Sequence, residues 1–209
     1  MSNISLDGYK YHTAASSHSH DYILPVVYRI IDSLKLSVDK HRVFELGCGN
    51  GAAAASLSNK GFEVVGIDPS EEGITISQRE YPNIRLERGD CYSDLAGQFG
   101  QFPIVLSLEV VEHVFLPREY ARRVYELLEE GGVAVISTPY HGYWKNLALA
   151  LTGKMDAHFT ALWDFGHIKF WSESTLRQLL EEAGFKSIQF MHVGRIRLLA
   201  KSMIAIAYK

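Results

Sequence analysis

The 209-residue chain is 47% hydrophobic and 22% charged, with 21 Lys and Arg against 24 Asp and Glu and a formal charge of −3. That length suits a single domain, 1–209. The composition excludes a disordered chain and a collagen-like repeat, and without an uninterrupted run of about 18 apolar residues it excludes a membrane-spanning helix. The slightly acidic balance points away from nucleic acid and toward a small-molecule partner, and Cys48 and Cys91 fit neither a disulfide framework nor a zinc-ligand spacing.

In chain order, residues 1–22 hold Tyr9, Tyr11, Tyr22, His12, His18 and His20 among small polar residues, a composition suited to an N-terminal arm or lid. The opening MSNISLDGYKYH lacks a basic patch followed by an apolar core, so a cytoplasmic location is expected. Short apolar runs then predict strands at 42–47 (RVFELG), 63–68 (EVVGID), 84–89 (IRLERG), 103–109 (PIVLSLE) and 133–138 (VAVIST). Amphipathic stretches between them predict helices at 50–60, 71–81 and 117–130, the last opening on Pro117 and stopping at Gly131-Gly132. This alternation is the mark of an α/β fold with a parallel sheet.

Residues 140–171 stand outside the alternation and gather Trp144, Trp163, Trp171, Tyr140, Tyr143, Phe159, Phe165 and Phe170. Such a segment reads as a cap or wall over a small-molecule pocket, and Trp144 to Leu151 is apolar enough for a peripheral membrane contact as well. A further helix opens with Ser172 as N-cap, presents Leu176, Leu179, Leu180 and Ala183, and ends at Gly184. Strands at 186–193 and 203–209 close the domain. Arg195, Arg197 and Lys201 before the final strand are able to receive an anionic group, although a solvated loop is the commoner reason for such charges.

The most informative stretch is Glu45-Leu46-Gly47-Cys48-Gly49-Asn50-Gly51, which follows a strand and opens a helix. Glycines let a ligand approach the backbone, and a helix N-terminus offers free N–H groups. Glu45 would repel a diphosphate and attract an ammonium group. Position 52 is Ala, so the GxGxxG spacing of dinucleotide-binding loops is not kept, and no GK[ST] marks a P-loop.

These residues resemble the first motif of the class I S-adenosylmethionine-dependent methyltransferases, and the resemblance covers nearly the whole chain. It implies a Rossmann-like, seven-stranded, mostly parallel sheet with helices on both faces and the last strand antiparallel. It also implies S-adenosylmethionine as cofactor and S-adenosylhomocysteine as product. The cofactor residues it implies are Glu45, Gly47, Cys48, Gly49, Gly51, Asp68, Pro69, Asp90, Cys91, Leu108 and Glu109. Among these, Asp68 at the end of the second strand would take both ribose hydroxyls, and Asp90 with the Cys91 backbone N–H would meet the adenine. Leu108 and Glu109 would lie beside the methionyl moiety. Read on their own, Asp68 before Pro69-Ser70 and Asp90 could each simply open a turn, and Cys48 is a small buried filler.

A sulfonium methyl is already activated, so the protein has to align a nucleophile and, for an alcohol, phenol or acid, take its proton. His113, His141, His158 and His167 follow the fourth and fifth strands on the ligand side, and His113 and His167 are the catalytic candidates. Glu109-Val110-Val111-Glu112-His113 would place Glu109, Glu112 and His113 on one face if it forms a helical turn. The same E-x-x-E-H letters occur in ubiquinone-pathway O-methyltransferases, which this sequence looks like and in which they are associated with a divalent metal. The preferred reading leaves the metal out and lets Glu and His shape the connection. The function expected is methyl transfer from S-adenosylmethionine to a small molecule, at the oxygen of a phenol, hydroxyl or carboxyl group. The alternative is a catalytically silent S-adenosylmethionine-binding regulatory or interaction protein. The oligomeric state is left open.

Overall fold

A computed structural model describes residues 13–15, 18–34, 41–164 and 166–209, so most of the expected arm and Phe165 lie outside the described residues. All seven expected strands form: β1 (Arg42–Leu46), β2 (Glu63–Asp68), β3 (Arg85–Arg88), β4 (Phe102–Leu108), β5 (Leu128–Pro139), β6 (Ser187–Val193) and β7 (Ser202–Tyr208). They make one sheet in the order β3-β2-β1-β4-β5-β7-β6, with β7 antiparallel to both neighbours and the β1, β2, β3, β4 and β5 pairings parallel. The central strands are continuous apolar runs because both faces are covered, as parallel sheets require.

One face packs on α1 (His20–Ser33), α2 (Ala52–Ser58) and α3 (Glu71–Glu80) through Ile23, Val27, Ala54, Leu57 and Ile74. The other packs on α4 (Leu95–Phe99), α5 (Pro117–Glu126) and α8 (Glu173–Ala183), where Tyr120, Val124, Leu176 and Leu180 are fully buried. The short helices α6 (Tyr143–Leu151) and α7 (Met155–Phe159) lie between β5 and α8. No helix among the described residues is long and apolar enough to cross a membrane.

Two elements differ from expectation. The helix expected to reach residue 130 ends at Glu126, because Leu127 and Leu128 are both fully buried and Leu128 pairs with Phe102 at the start of β5. The register then shifts before Val133 meets Ile104. Gly131, at φ +75°, lies within this irregular stretch of β5 and not at a helix stop. The second difference is α1, which begins inside the expected arm at His20. Its Ile23, Val26, Val27, Ile30 and Ile31 form a buried stripe at helical spacing.

Trp171 ties the aromatic segment back to the sheet. Its backbone bridges Tyr140, His141 N donates to Trp171 O at 2.9 Å, and Trp171 Nε1 donates to Val111 O at 3.1 Å. Trp171→Phe keeps most of the apolar contact and leaves that buried carbonyl unpaired. A loss of about 1–3 kcal/mol is expected in urea unfolding. A loss indistinguishable from zero would show that water replaces the bond.

Candidate active site

The sheet order reverses between β1 and β4, and in open α/β sheets the crevice at that point takes the ligand. After β1 the chain turns through Gly47, Gly49 and Gly51 at φ +85°, +52° and +79°, conformations that side chains rarely adopt. Gly47 must also be bare for space, since a Cβ there would meet Val110 Cγ2 at 2.3 Å. The glycine loop is therefore packed directly against the loop that follows β4.

Asp68 holds the glycine loop in place. Its Oδ2 accepts from Gly49 N at 2.8 Å and its Oδ1 from Ser70 N at 2.8 Å, so the turn expected from Asp68-Pro69-Ser70 does form, with Pro69 exposed at its tip. Glu45, at the end of β1, is 2% exposed, and its Oε2 has no hydrogen-bond partner. Burial first, and the neighbouring Asp68 charge second, raise the Glu45 carboxyl to about 8. Among the described residues no donor reaches this buried oxygen, which is free to accept one from elsewhere. Residues 13–15 lie across this loop: Asn50 Nδ2 donates to Thr13 O at 2.7 Å and Ala15 O at 2.9 Å, and Tyr81 OH donates to Ala14 O at 3.2 Å.

Cys48 fills the space under β2, where a Cβ on Gly66 would meet its own Cβ at 2.9 Å; burial pushes its thiol well above the usual range. Asp90 closes a turn and is exposed. Its Oδ1 accepts from Tyr92 N at 2.7 Å and Ser93 N at 3.0 Å, and its Oδ2 from Ser93 Oγ at 2.8 Å. Cys91 packs against the core beside it, and burial raises its thiol to about 12.

Across the crevice, Leu108 is buried at the end of β4 and Glu109 takes φ +56°. Ser137 clamps Glu109 at both ends: the Glu109 N–H donates to Ser137 O and Oγ at 3.1 and 3.0 Å, and Ser137 Oγ lies 2.9 Å from Glu109 Oε1. Ser202 Oγ donates to Oε2 at 3.3 Å. Burial raises the Glu109 carboxyl, while Ser137, Ser202 and the Lys145 charge pull it back.

The helical turn anticipated at 109–113 does not form, and Glu109 does not share a face with Glu112 and His113. A left-handed Glu109 swings the chain into a tight turn closed by His113 N to Val110 O at 2.9 Å. The structure instead brings His167 to Glu112 and His113. Glu112 Oε1, buried without a hydrogen-bond partner, is 4.0 Å from His113 Nε2 and 3.9 Å from His167 Nε2. The two imidazole rings meet edge to face at 4.9 Å between centroids, and Trp163 lies against both at 5.8 and 5.2 Å.

The backbone fixes this geometry. Ile168 N and Lys169 N both donate to Glu112 O, at 2.9 and 3.0 Å. Gly166 O lies 3.2 Å from His113 Nδ1, and a carbonyl only accepts, so Nδ1 carries the proton and a neutral His113 has its lone pair on Nε2. Gly166 must be glycine, since a Cβ would meet the Trp163 ring at 2.8 Å. Burial and the Glu109 charge push the Glu112 carboxyl well up; burial, then His113, hold His167 down at about 4. Burial thus favours the protonated form of the Glu112 carboxyl and leaves His167 neutral at neutral pH.

The donor atoms of Glu112, His113 and His167 lie within 4.8 Å of one another. One carboxylate and two imidazoles with an unpartnered oxygen suit a borderline divalent ion such as Zn²⁺ better than Mg²⁺. Donors bound at about 2.1 Å around a tetrahedral ion would stand closer together than that.

The rest of the 140–171 segment divides in two. His141, His158, Phe159 and Phe170 pack ring against ring at 4.8–5.6 Å. Tyr143, Trp144, Leu151 and Leu162 face outward. Trp171, anticipated as part of a pocket wall, belongs to the core.

The crevice between β1 and β4, with its glycine loop, defines a Rossmann-like cofactor-binding fold. A family model described as a methyltransferase domain matches residues 22–189, and the chain belongs to that family. It is 30% identical over 154 residues to the ubiquinone biosynthesis O-methyltransferase of Ruegeria pomeroyi, covering 70% of this chain and 60% of that protein. To the protein of the same name from Azorhizobium caulinodans it is 31% identical over 153 residues, covering 69% and 58%. The chain thus spans less than two thirds of the length of these relatives. Among solved structures, a SAM-dependent methyltransferase from Archaeoglobus fulgidus superposes with a TM-score of 0.65 at 18% identity, covering 89% of this chain and 94% of that one. The magnesium protoporphyrin IX methyltransferase of Synechocystis, solved with bound S-adenosylhomocysteine, gives 0.65 at 19% identity, covering 88% and 80%. These two likenesses establish the fold.

Proposed function

We propose that the chain binds S-adenosylmethionine in the crevice between β1 and β4 and transfers its methyl group to the hydroxyl oxygen of a small molecule. The observation that carries this reading is the pair of buried, unpartnered carboxyl oxygens, Glu45 Oε2 beside the glycine loop and Glu112 Oε1 beside two imidazoles. One is suited to an ammonium group and the other to a proton relay.

When bound, S-adenosylmethionine supplies a methyl group already activated on a sulfonium. Glu45 receives the ammonium end, Asp68 the ribose hydroxyls, and the loop at Leu108–Glu109 borders the methionyl moiety. His113 Nε2, its lone pair set by the Gly166 carbonyl, takes the acceptor's proton, and Glu112, once ionised, offsets the imidazolium charge that results. Should a divalent ion bind, Glu112, His113 and His167 would hold it, and it would acidify the acceptor hydroxyl.

Titration calorimetry tests the first layer: S-adenosylmethionine and S-adenosylhomocysteine are both expected to bind, and no binding of either at millimolar concentration would overturn the reading. Because Glu45 is held near 8 in the free chain and must ionise to pair with an ammonium, binding at neutral pH releases close to one proton. The observed enthalpy should therefore vary with the ionisation enthalpy of the buffer, and Glu45→Gln should abolish that variation. Formation of S-adenosylhomocysteine on adding a metabolite extract tests turnover.

A further inference from the structure

A second group of buried polar side chains, unused by the proton relay, lies where α6 meets the connection between β6 and β7. Lys145, in the first turn of α6, is 8% exposed. Its Nζ donates to Lys201 O at 3.2 Å, which leaves two of its three donors and its whole charge to be balanced. Among the described residues no carboxylate lies within ion-pair distance of it. Glu109 is within electrostatic reach, but its oxygens already accept from Ser137 and Ser202.

A second charge that acts on Lys145 has the same sign. Arg195, exposed in the β6–β7 connection, opposes the Lys145 charge and makes no ion pair among the described residues. Its neighbours are accounted for, since Arg197 lies 3.8 Å from Glu173 and the Lys201 ammonium sits over the Tyr22 ring at 5.0 Å. Burial and Arg195 lower the Lys145 ammonium to about 8, so it stays charged at neutral pH. A buried ammonium beside a second cation, with no carboxylate in ion-pair contact among the described residues and only the more distant Glu109 of opposite sign, is costly to the folded chain and is relieved by an anion. His141, whose ring feels the same ammonium, has a buried Nδ1 that makes no hydrogen bond of good geometry among the described residues.

We infer that Lys145 and Arg195 form an anion-binding end of the acceptor site, so that the methyl acceptor carries a carboxylate or phosphate group. This rests on the methyltransferase reading above for the word acceptor, but not for the anion site itself. Lys145 lies within electrostatic reach of Glu109 at the end of β4 and of His141 and His158, whose rings pack with Phe159 and Phe170, so the charge stands near an aromatic cluster. An aromatic or aliphatic body with one acidic end fits that arrangement.

The test measures binding, not turnover. With S-adenosylhomocysteine present, benzoate and benzamide, matched in shape and differing in charge, are titrated into the wild-type chain by ligand-observed NMR, and phenyl phosphate provides the phosphate arm. At least one anion is expected to bind about tenfold or more tighter than benzamide. Lys145→Met, which keeps the length of the side chain, should erase the preference and raise the melting temperature by removing a buried charge that has no ion-pair partner among the described residues. Arg195→Ala should reduce the preference a few-fold. Equal binding of the three probes, no binding of any at millimolar concentration, or a preference that survives in Lys145→Met would overturn the proposal. A Lys145-dependent anion preference in a chain that never forms S-adenosylhomocysteine would leave the anion site standing and sink the methyltransferase reading.

Discussion

Replacing Asp68 with alanine is expected to weaken S-adenosylhomocysteine binding by about 100- to 1,000-fold, the worth of two hydrogen bonds to a charged acceptor. Asp68 acts twice in this structure. Its carboxylate sits over the crevice at the end of β2, and the same group accepts from Gly49 N and Ser70 N, which fixes the glycine loop. Asp68→Asn separates the two roles. The amide keeps one oxygen for the Gly49 N–H and loses both the charge and the second acceptor, so an intermediate loss of affinity with near-native thermal stability is expected. Asp90→Ala makes the contrast. Asp90 is exposed where Asp68 is buried, so water competes for its hydrogen bonds, and with its oxygens engaged by the turn at Tyr92 and Ser93 its loss should lower affinity by about tenfold or less, mainly through loop order. Calorimetry on the three variants decides. An Asp90→Ala loss as large as that of Asp68→Ala would mean that the turn opens to receive the ligand.

The glycine-loop half of the candidate site was legible because its demands are local. A left-handed loop needs glycine at fixed positions, and Gly47, Gly49 and Gly51 stand where the chain adopts positive φ. The acids at 45 and 68 follow from strand ends that alternating apolar runs already locate. The acceptor half was less legible because it depends on the return of a distant segment. Nothing in the letters at 109–113 shows that Glu109 turns left-handed and engages Ser137 and Ser202, or that His167 comes in beside Glu112. The sequence marked His167 as following the fifth strand on the ligand side, and the tie from Trp171 to Val111 helps hold its segment against the turn after β4. Lys145 was hidden for another reason. Its neighbours Trp144 and Leu147 drew attention to apolar character, while the ammonium between them is the more deeply buried group. The helix ending at Glu126 and not at Gly131 shows the sheet overriding a glycine stop, since burying Leu127 and Leu128 outweighs one more turn of helix.

His113→Ala is expected to lower kcat by about 100- to 10,000-fold while leaving S-adenosylhomocysteine affinity within a few-fold of wild type. The proton acceptor must be the nitrogen whose lone pair faces the crevice, and the Gly166 carbonyl assigns that role to His113 Nε2. Glu112 is 1% exposed; its Oε2 accepts from Thr138 Oγ1 at 3.0 Å, and among the described residues its Oε1 has no hydrogen-bond partner. Its other oxygen therefore remains available to balance an imidazolium. Glu112→Gln keeps the Thr138 contact and removes the ionisable proton, so kcat should fall by about tenfold or more. The limb of the pH profile that reports loss of a proton from the carboxyl should disappear, a change that a purely structural role would not produce. His167→Ala removes a ring that packs against His113 but is not set by a carbonyl, so its effect on kcat should be smaller than that of His113→Ala. The reverse order would move the base to His167. Rates after EDTA treatment separate proton transfer from metal chemistry on the same three side chains. A rate unchanged by EDTA but abolished in His113→Ala supports the base. A rate lost on EDTA treatment and restored by Zn²⁺ would make Glu112, His113 and His167 metal ligands, and His113→Ala would then act by emptying that site.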